Sequence, residues 1–306
     1  MADEDRNAPS ELQTPSFWEY APGLKLAWTE FGDPSGFPVM FYHGWPSSRL
    51  QGTIAHSAAA ELGLRLIATD RPGMGRSDTV KGRRLSDWPD LIGRFADFLG
   101  LDRFAQLGVS GGGPYVLACA ALIPDRLAAS SVLCGMVPLA FAKGGQKYLS
   151  PAFRAMVPFR KLPPACLTPG LALLGASAKL RLGRIPGFIT SLVMPEKDRS
   201  VLVNQADRWQ AINRSVREGI AGQGNAGVLS DANVFFEDPG FEPGDVIHPV
   251  RWWHGDDDHH IGLPLVRALF GKMPVGTLEV AAGYGHFSLA LDYCPAALAH
   301  IAAEVS

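Results

Sequence analysis

Cysteine is scarce in this chain, with 4 in 306 residues. Cys119, Cys134, Cys166 and Cys294 lie far apart, and no two form a C-x-x-C pair. A disulfide framework and a cysteine zinc site are thereby excluded, and the spacing predicts small buried residues of a reduced, cytoplasmic-type protein. An excess of positive charge is also lacking. Lys and Arg number 28 against 30 Asp and Glu, for a net charge of -2. Neither nucleic acid nor an anionic membrane is an expected partner. No uninterrupted apolar run approaches the ~18 residues of a membrane span. Residues 1–15 are polar and acid-rich, without a basic stretch leading into an apolar one. They read as a mobile tail with no signal peptide. No internal repeat is present, and the 34 glycines and 24 prolines are spread along the chain, not gathered in one segment.

Alternating short apolar runs and helical patterns are what the chain does have. Strands are predicted at Phe17–Tyr20, Leu24–Phe31, Pro38–Tyr42, Leu64–Thr69, Phe104–Val109 and Leu127–Cys134. A helical stretch around Gly52–Leu62 precedes the fourth. Leu85–Leu99 reads as a helix with Leu91, Ile92, Phe95 and Phe98 on its apolar face. Pro114–Leu122 is an apolar helix with proline in its first turn. The pattern changes over 138–235, where prolines break helical stretches and no core strand is evident. It resumes with a strand at Pro249–Trp253, a helix at Leu265–Phe270, a strand at Thr277–Val280 and a terminal helix at Pro295–Ala303. The fold class is therefore α/β, a mostly parallel central sheet flanked by helices. Residues 16–137 and 236–306 form its core, and 138–235 form an inserted helical cap.

Gly108-Val109-Ser110-Gly111-Gly112 fits G-x-S-x-G, a nucleophile elbow, with a strand before it and a helix after it. A serine hydroxyl needs a general base, and the base needs an acid to orient it. His286, in Gly283-Tyr284-Gly285-His286-Phe287 just past a strand, is the expected base; His56, His248 and His300 sit in less suitable places. The acid lies in His254-Gly255-Asp256-Asp257-Asp258-His259-His260, where three adjacent aspartates leave the choice open. A metal site there is disfavoured, because adjacent residues point apart and no second ligand cluster is evident. Two backbone N–H groups should hold a developing oxyanion: Gly111, directly after the serine, and Trp45, in the loop His43-Gly44-Trp45-Pro46. Gly222-Gln223-Gly224-Asn225-Ala226-Gly227 formally matches G-x-G-x-x-G. It lacks the preceding strand that dinucleotide binding requires and reads as a lid loop.

Taken together, His43 to Pro46, Asp70-Arg71-Pro72-Gly73-Met74-Gly75-Arg76-Ser77, the elbow, Gly255 to Asp258 and Gly285-His286 resemble the α/β-hydrolase superfamily, in its capped serine-hydrolase, carboxylesterase-like branch. The resemblance implies that the acid falls three residues after the glycine ending its strand, which selects Asp258. It implies a mainly structural role for Arg71 to Ser77. Serine at position 110 is unlike the aspartate of haloalkane dehalogenases and epoxide hydrolases. The expected activity is hydrolysis of a small or medium ester by a Ser110–His286–Asp258 triad, without a cofactor or a metal and on a small-molecule substrate. Lactone, amide or carbon–carbon cleavage and cofactor-free haloperoxidase chemistry would use the same triad, and a non-catalytic ligand-binding protein is a third reading. His43, Gly44, Met136 and Trp209 are candidates for the substrate pocket. Phe188, Leu192 and Met194 are expected to pack the cap.

Overall fold

A computed structural model describes residues 14–142, 144–151, 153, 154 and 194–306. The apolar runs become eight strands: β1 (Ser16–Ala21), β2 (Leu24–Gly32), β3 (Phe37–Tyr42), β4 (Leu64–Thr69), β5 (Phe104–Val109), β6 (Leu127–Leu133), β7 (Arg251–Gly255) and β8 (Thr277–Ala281). They form one sheet in the order β1-β2-β4-β3-β5-β6-β7-β8. β1 pairs antiparallel with β2, and β2 with β4. All pairings from β4 to β8 are parallel. Period-2 alternation divides the core between the two faces. On β3, Met40 and Tyr42 join a cluster with Trp88, Phe95 and Tyr115, whereas Val39 and Phe41 join Phe31, Leu107 and Leu298. β5 is buried at every position, as a central parallel strand must be.

Among the described residues the helices are α1 (His56–Glu61), α2 (Trp88–Phe98), α3 (Gly113–Leu122), α4 (Glu196–Asn204), α5 (Ala206–Val234), α6 (Leu263–Phe270), α7 (His286–Asp292) and α8 (Cys294–Val305). α3 is apolar all round, and Gly113 to Ala120 are all buried. α2 is amphipathic and buries Leu91, Ile92 and Phe95. Phe98, expected on the same face, is instead 54% exposed and stacks on Trp18. α4 and α5 lie in the long connection from β6 to β7. Strand order reverses around β3: the chain steps out to β4 and returns across β3 to β5. The loops after β3 and β5 therefore leave neighbouring strand ends in opposite directions and open a crevice between them.

Three sequence readings need correction. The strand expected at Pro249–Trp253 begins two residues later, at Arg251. The residue opening α7 is His286, so the histidine loop runs directly into a short helix. Third, Gly222–Gly227 is not a loop. It lies inside α5, which breaks at Gly224 in a backbone conformation (φ 66°, ψ −169°) open essentially to glycine. The neighbouring glycines serve contact. A Cβ at Gly219 would strike the Ser47 carbonyl, one at Gly222 the Gly75 carbonyl, and one at Gly227 the Gly73 carbonyl. α5 thus rests backbone to backbone on the loops after β3 and β4. Cys166, Phe188, Leu192 and residues 1–13 of the expected tail lie outside the described residues.

Gly227→Ala should therefore destabilise the fold by about 1–3 kcal/mol through overpacking. Gly93→Ala, in α2 with nothing within 4 Å of the added Cβ, should be stabilising by about 0.5–1 kcal/mol. Denaturant midpoints of the two variants, compared with the parent chain, check both signs.

Candidate active site

Ser110 follows β5 directly and takes a left-handed backbone conformation, φ 53°, which is strained for a residue with a side chain. The surroundings hold it there. A Cβ at Gly108 would lie 2.7 Å from Val116 and 2.8 Å from the Gly112 carbonyl, and one at Gly112 would collide with the Tyr42 carbonyl. The Met136 N–H donates to the Ser110 carbonyl at 2.8 Å. The tight turn projects the hydroxyl into the crevice, where the Nε2 of His286 lies 2.9 Å from Oγ.

His286 Nδ1 meets Asp258 Oδ2 at 2.7 Å. The other oxygen of Asp258 accepts from the N–H groups of His260 (2.8 Å) and Ile261 (2.9 Å). Asp256 and Asp257 do other things. Asp256 accepts from Gly283 N–H at 2.6 Å, and Asp257 faces exposed His259 at 3.0 Å. Of the three aspartates, Asp258 is the one that turns inward. Burial alone would raise its pKa, but His286 and the N–H donors outweigh burial and hold the carboxyl at about 2. Burial works against charge on His286 too, and Asp258 overcomes it, so the imidazolium persists well above the usual histidine range. Beneath this pair, buried His254 donates Nε2–H to the Ile261 carbonyl at 2.7 Å and lies 3.6 Å from Asp258. His260 sits with its ring centroid 5.0 Å from that of His286. Burial, reinforced by the charge of His286, lowers it to about 4 and keeps it neutral at pH 7.

Gly111 approaches Trp45 so closely that a Cβ would lie 3.0 Å from the Trp45 nitrogen. Neither N–H donates a hydrogen bond among the described residues. The loop carrying Trp45 is clamped from below by Arg71, whose guanidinium donates to the carbonyls of His43 and, at 3.0 Å, of Gly44. Gln51 Oε1 accepts from Gly44 N–H at 2.6 Å. Arg71 is fully buried and is neutralised by Asp231 of α5 at 2.7 Å. Asp231 also receives Arg83 and, at 2.7 Å, the Tyr115 hydroxyl. A second buried group ties the same helix down: Arg49 bridges Asp70 (2.8 Å) and Glu218 (3.0 Å).

A narrow cleft opens above Ser110 and Gly111. Its described walls include Trp45, Met136, Phe153, Phe235, Phe236 and Ile261, and none is charged. Met136 was expected there. His43 and Gly44 were too, but neither lines the described wall: His43 is wholly buried, and the Gly44 N–H is held by Gln51. Trp209 packs edge-on against Phe287 at 5.1 Å and lines none of the described wall. Met194 is half-buried. The sequence reading missed Asp231, Asp198, Phe235 and His260. A buried acid inside a segment without regular pattern leaves no periodic signal, although the adjacent Val234-Phe235-Phe236 run was visible.

A doubly wound sheet with a serine elbow at its switch point and a histidine–aspartate pair just past its last two strands defines a hydrolase architecture. The chain belongs to the alpha/beta hydrolase fold family, whose pattern it matches over residues 38–293. It is 29% identical over 117 residues to the bifunctional esterase/perhydrolase DCH of Acinetobacter calcoaceticus, covering 38% of this chain and 42% of that protein. It is 30% identical over 122 residues to a non-heme chloroperoxidase of Streptomyces lividans, covering 40% and 44%. The matched stretch is thus less than half the length of these relatives. The esterase EaEST of Exiguobacterium antarcticum has the same fold, with a TM-score of 0.67 at 18% identity over 94% of this chain and 99% of that one. Among the described residues no helix is long and apolar enough to cross a membrane.

Asp258 contributes stability above the unfolded carboxylate value of about 3.9, and loses it as pH falls through about 2. Protonated His286 contributes stability below about 6.5, and loses it as pH rises through its raised value. Neutral imidazole, the form able to take a proton from Ser110, appears over that same rise. Labelling of Ser110 by a fluorophosphonate should therefore accelerate with pH through an inflection above 6.5, and Asp258→Asn should move the inflection down and slow the reaction. Asp231→Ala, which leaves Arg71 and Arg83 buried without a counter-charge, should cost about 3–5 kcal/mol in a denaturant titration.

Proposed function

We propose that this chain is a serine hydrolase cleaving small or medium-sized, largely uncharged carboxylic esters through an acyl-enzyme. The carrying observation is the unbroken Ser110–His286–Asp258 hydrogen-bond chain, 2.9 and 2.7 Å, at the floor of a cavity whose described walls are uncharged. His286 takes the Ser110 proton as Oγ attacks the ester carbonyl carbon. The Trp45 and Gly111 N–H groups hold the oxyanion of the tetrahedral intermediate. The imidazolium returns its proton to the departing alcohol. Water, deprotonated by His286, then attacks the acyl-enzyme, and collapse releases the acid and restores Ser110. Asp258 fixes the tautomer and supports the imidazolium. Residues 138–235, within the β6–β7 connection, act as a cap, and Phe235 at its end and the adjoining Phe236, just past α5, line the acyl side. The three described cysteines, all buried and unpaired, fit a reducing cytoplasmic setting.

The names of the two relatives favour a second reading, in which hydrogen peroxide replaces water as the acyl acceptor and a peroxyacid is released. Both readings share the first half-reaction. Hydrolysis of p-nitrophenyl acetate and butyrate by the parent chain and by Ser110→Ala tests it. Turnover should fall by about 10³-fold or more, and equal turnover overturns the proposal. Peroxyacid formation in the presence of peroxide, measured alongside, separates the two acceptors.

A further inference from the structure

Asp198 is a carboxylate that the reaction above does not use, yet it is 1% exposed and fully engaged. It sits on α4, in the β6–β7 connection, and its hydrogen bonds reach across to the start of α7. Oδ2 accepts from the His286 N–H at 3.0 Å. Oδ1 accepts from the Ser288 N–H at 2.8 Å and from the Ser288 hydroxyl at 2.7 Å. Ser288 Oγ in turn accepts from the Gly285 N–H at 3.0 Å. The N–H groups of residues 285, 286 and 288 thus all end, directly or through one hydroxyl, on a single side chain from a distant segment. Gly285 is glycine for the same reason: a Cβ there would lie 2.5 Å from the Asp198 carboxylate.

From this geometry we infer that Asp198 is a positioning residue for His286, an inference that rests on the hydrolase reading above. The histidine is held at two points. Asp258 grips the imidazole, and Asp198 grips the backbone from which the imidazole is suspended. Removal of Asp198 leaves two buried N–H groups without partners, and α7 must shift to find others. A displacement of about 1 Å between a nucleophile and its base costs on the order of 10²-fold in rate. Other ties hold α4 and α5 against the histidine loop and α7 without touching the His286 backbone. Lys197 lies 3.5 Å over the Tyr284 ring, and Arg208 pairs with Asp292 at 3.7 Å. These supply a control that loosens the same interface.

The test compares Asp198→Ala, Asp198→Asn, Ser288→Ala and Lys197→Ala with the parent chain, in p-nitrophenyl ester turnover and in fluorophosphonate labelling of Ser110. Asp198→Ala should lower kcat and the labelling rate by at least about tenfold, with KM within about twofold, since Asp198 lines none of the described cavity wall. Asp198→Asn keeps one acceptor oxygen and should recover part of the loss. Ser288→Ala, which removes one of the three bonds to Asp198 and the acceptor of the Gly285 N–H, should fall between it and the parent, and keeps the proposal testable if Asp198→Ala does not fold. Lys197→Ala should retain the parent rates. Parent-like labelling and kcat in folded Asp198→Ala, or an equal loss in Lys197→Ala, overturns the positioning role. No Ser110 adduct in the parent chain overturns the hydrolase reading instead, so the two failures are distinct.

Discussion

The buried Arg71–Asp231 pair is the contact on which the rest of the site depends. A guanidinium out of contact with water is tolerable only when its charge is met and its donors are used. Arg71 meets both conditions by reaching in two directions. It spends donors on the His43 and Gly44 carbonyls, and its charge on an acid from α5. The loop presenting Trp45 and the helix presenting Phe235 and Phe236 are thereby referred to one fixed point. Tyr115 and Arg83 close the shell around Asp231, which burial would otherwise push toward its neutral form. The Arg71 to Ser77 segment does the work of a joint, with Gly73 and, on α5, Gly222 and Gly227 leaving no side chains between the two.

Three acids of the β6–β7 connection enter the core in this manner, each meeting a different part of the site. Asp198 meets the His286 helix, Glu218 meets Arg49 beside Asp70, and Asp231 meets Arg71. Charged groups are specific where apolar packing is tolerant, since a carboxylate has few acceptable seats in a low-dielectric interior. Such contacts fix one placement of the connection over the sheet and hold the aromatic wall at a set distance from Ser110.

Legibility in the sequence followed the same division. Ser110 and His286 stood out as candidates because short-range chemistry marks them: glycines where the backbone turns tightly, and a strand on the preceding side. Asp258 was told from Asp256 and Asp257 only through the family resemblance, since three adjacent carboxylates carry the same local signal. β3 was visible because burial on both faces demands an apolar run, and β5 and β6 because theirs are interrupted only by buried Gln106 and by buried Ser130 and Ser131. Phe98 was misplaced because helical spacing says which residues share a face, not where that face ends. Gly222 to Gly227 was misread because glycine serves both flexible turns and close helix contact, and only the partner backbone at Gly73 and Gly75 distinguishes them. Asp198 and Asp231 were invisible because each is defined by residues far away in the chain, and no local pattern announces a long-range ion pair.

The order of the sheet has a consequence for the growing chain. Ser110 lies in a stretch whose strands, β1 to β6, are all made before the long connection begins. β7 finds its place only when Arg251 pairs beside Ser131, and β8 only when Thr277 follows Arg251. No fragment ending before residue 286 therefore contains the histidine that faces Ser110. The Ser110–His286 contact spans 176 residues of chain, and it needs both β7 and β8 in place beside β6.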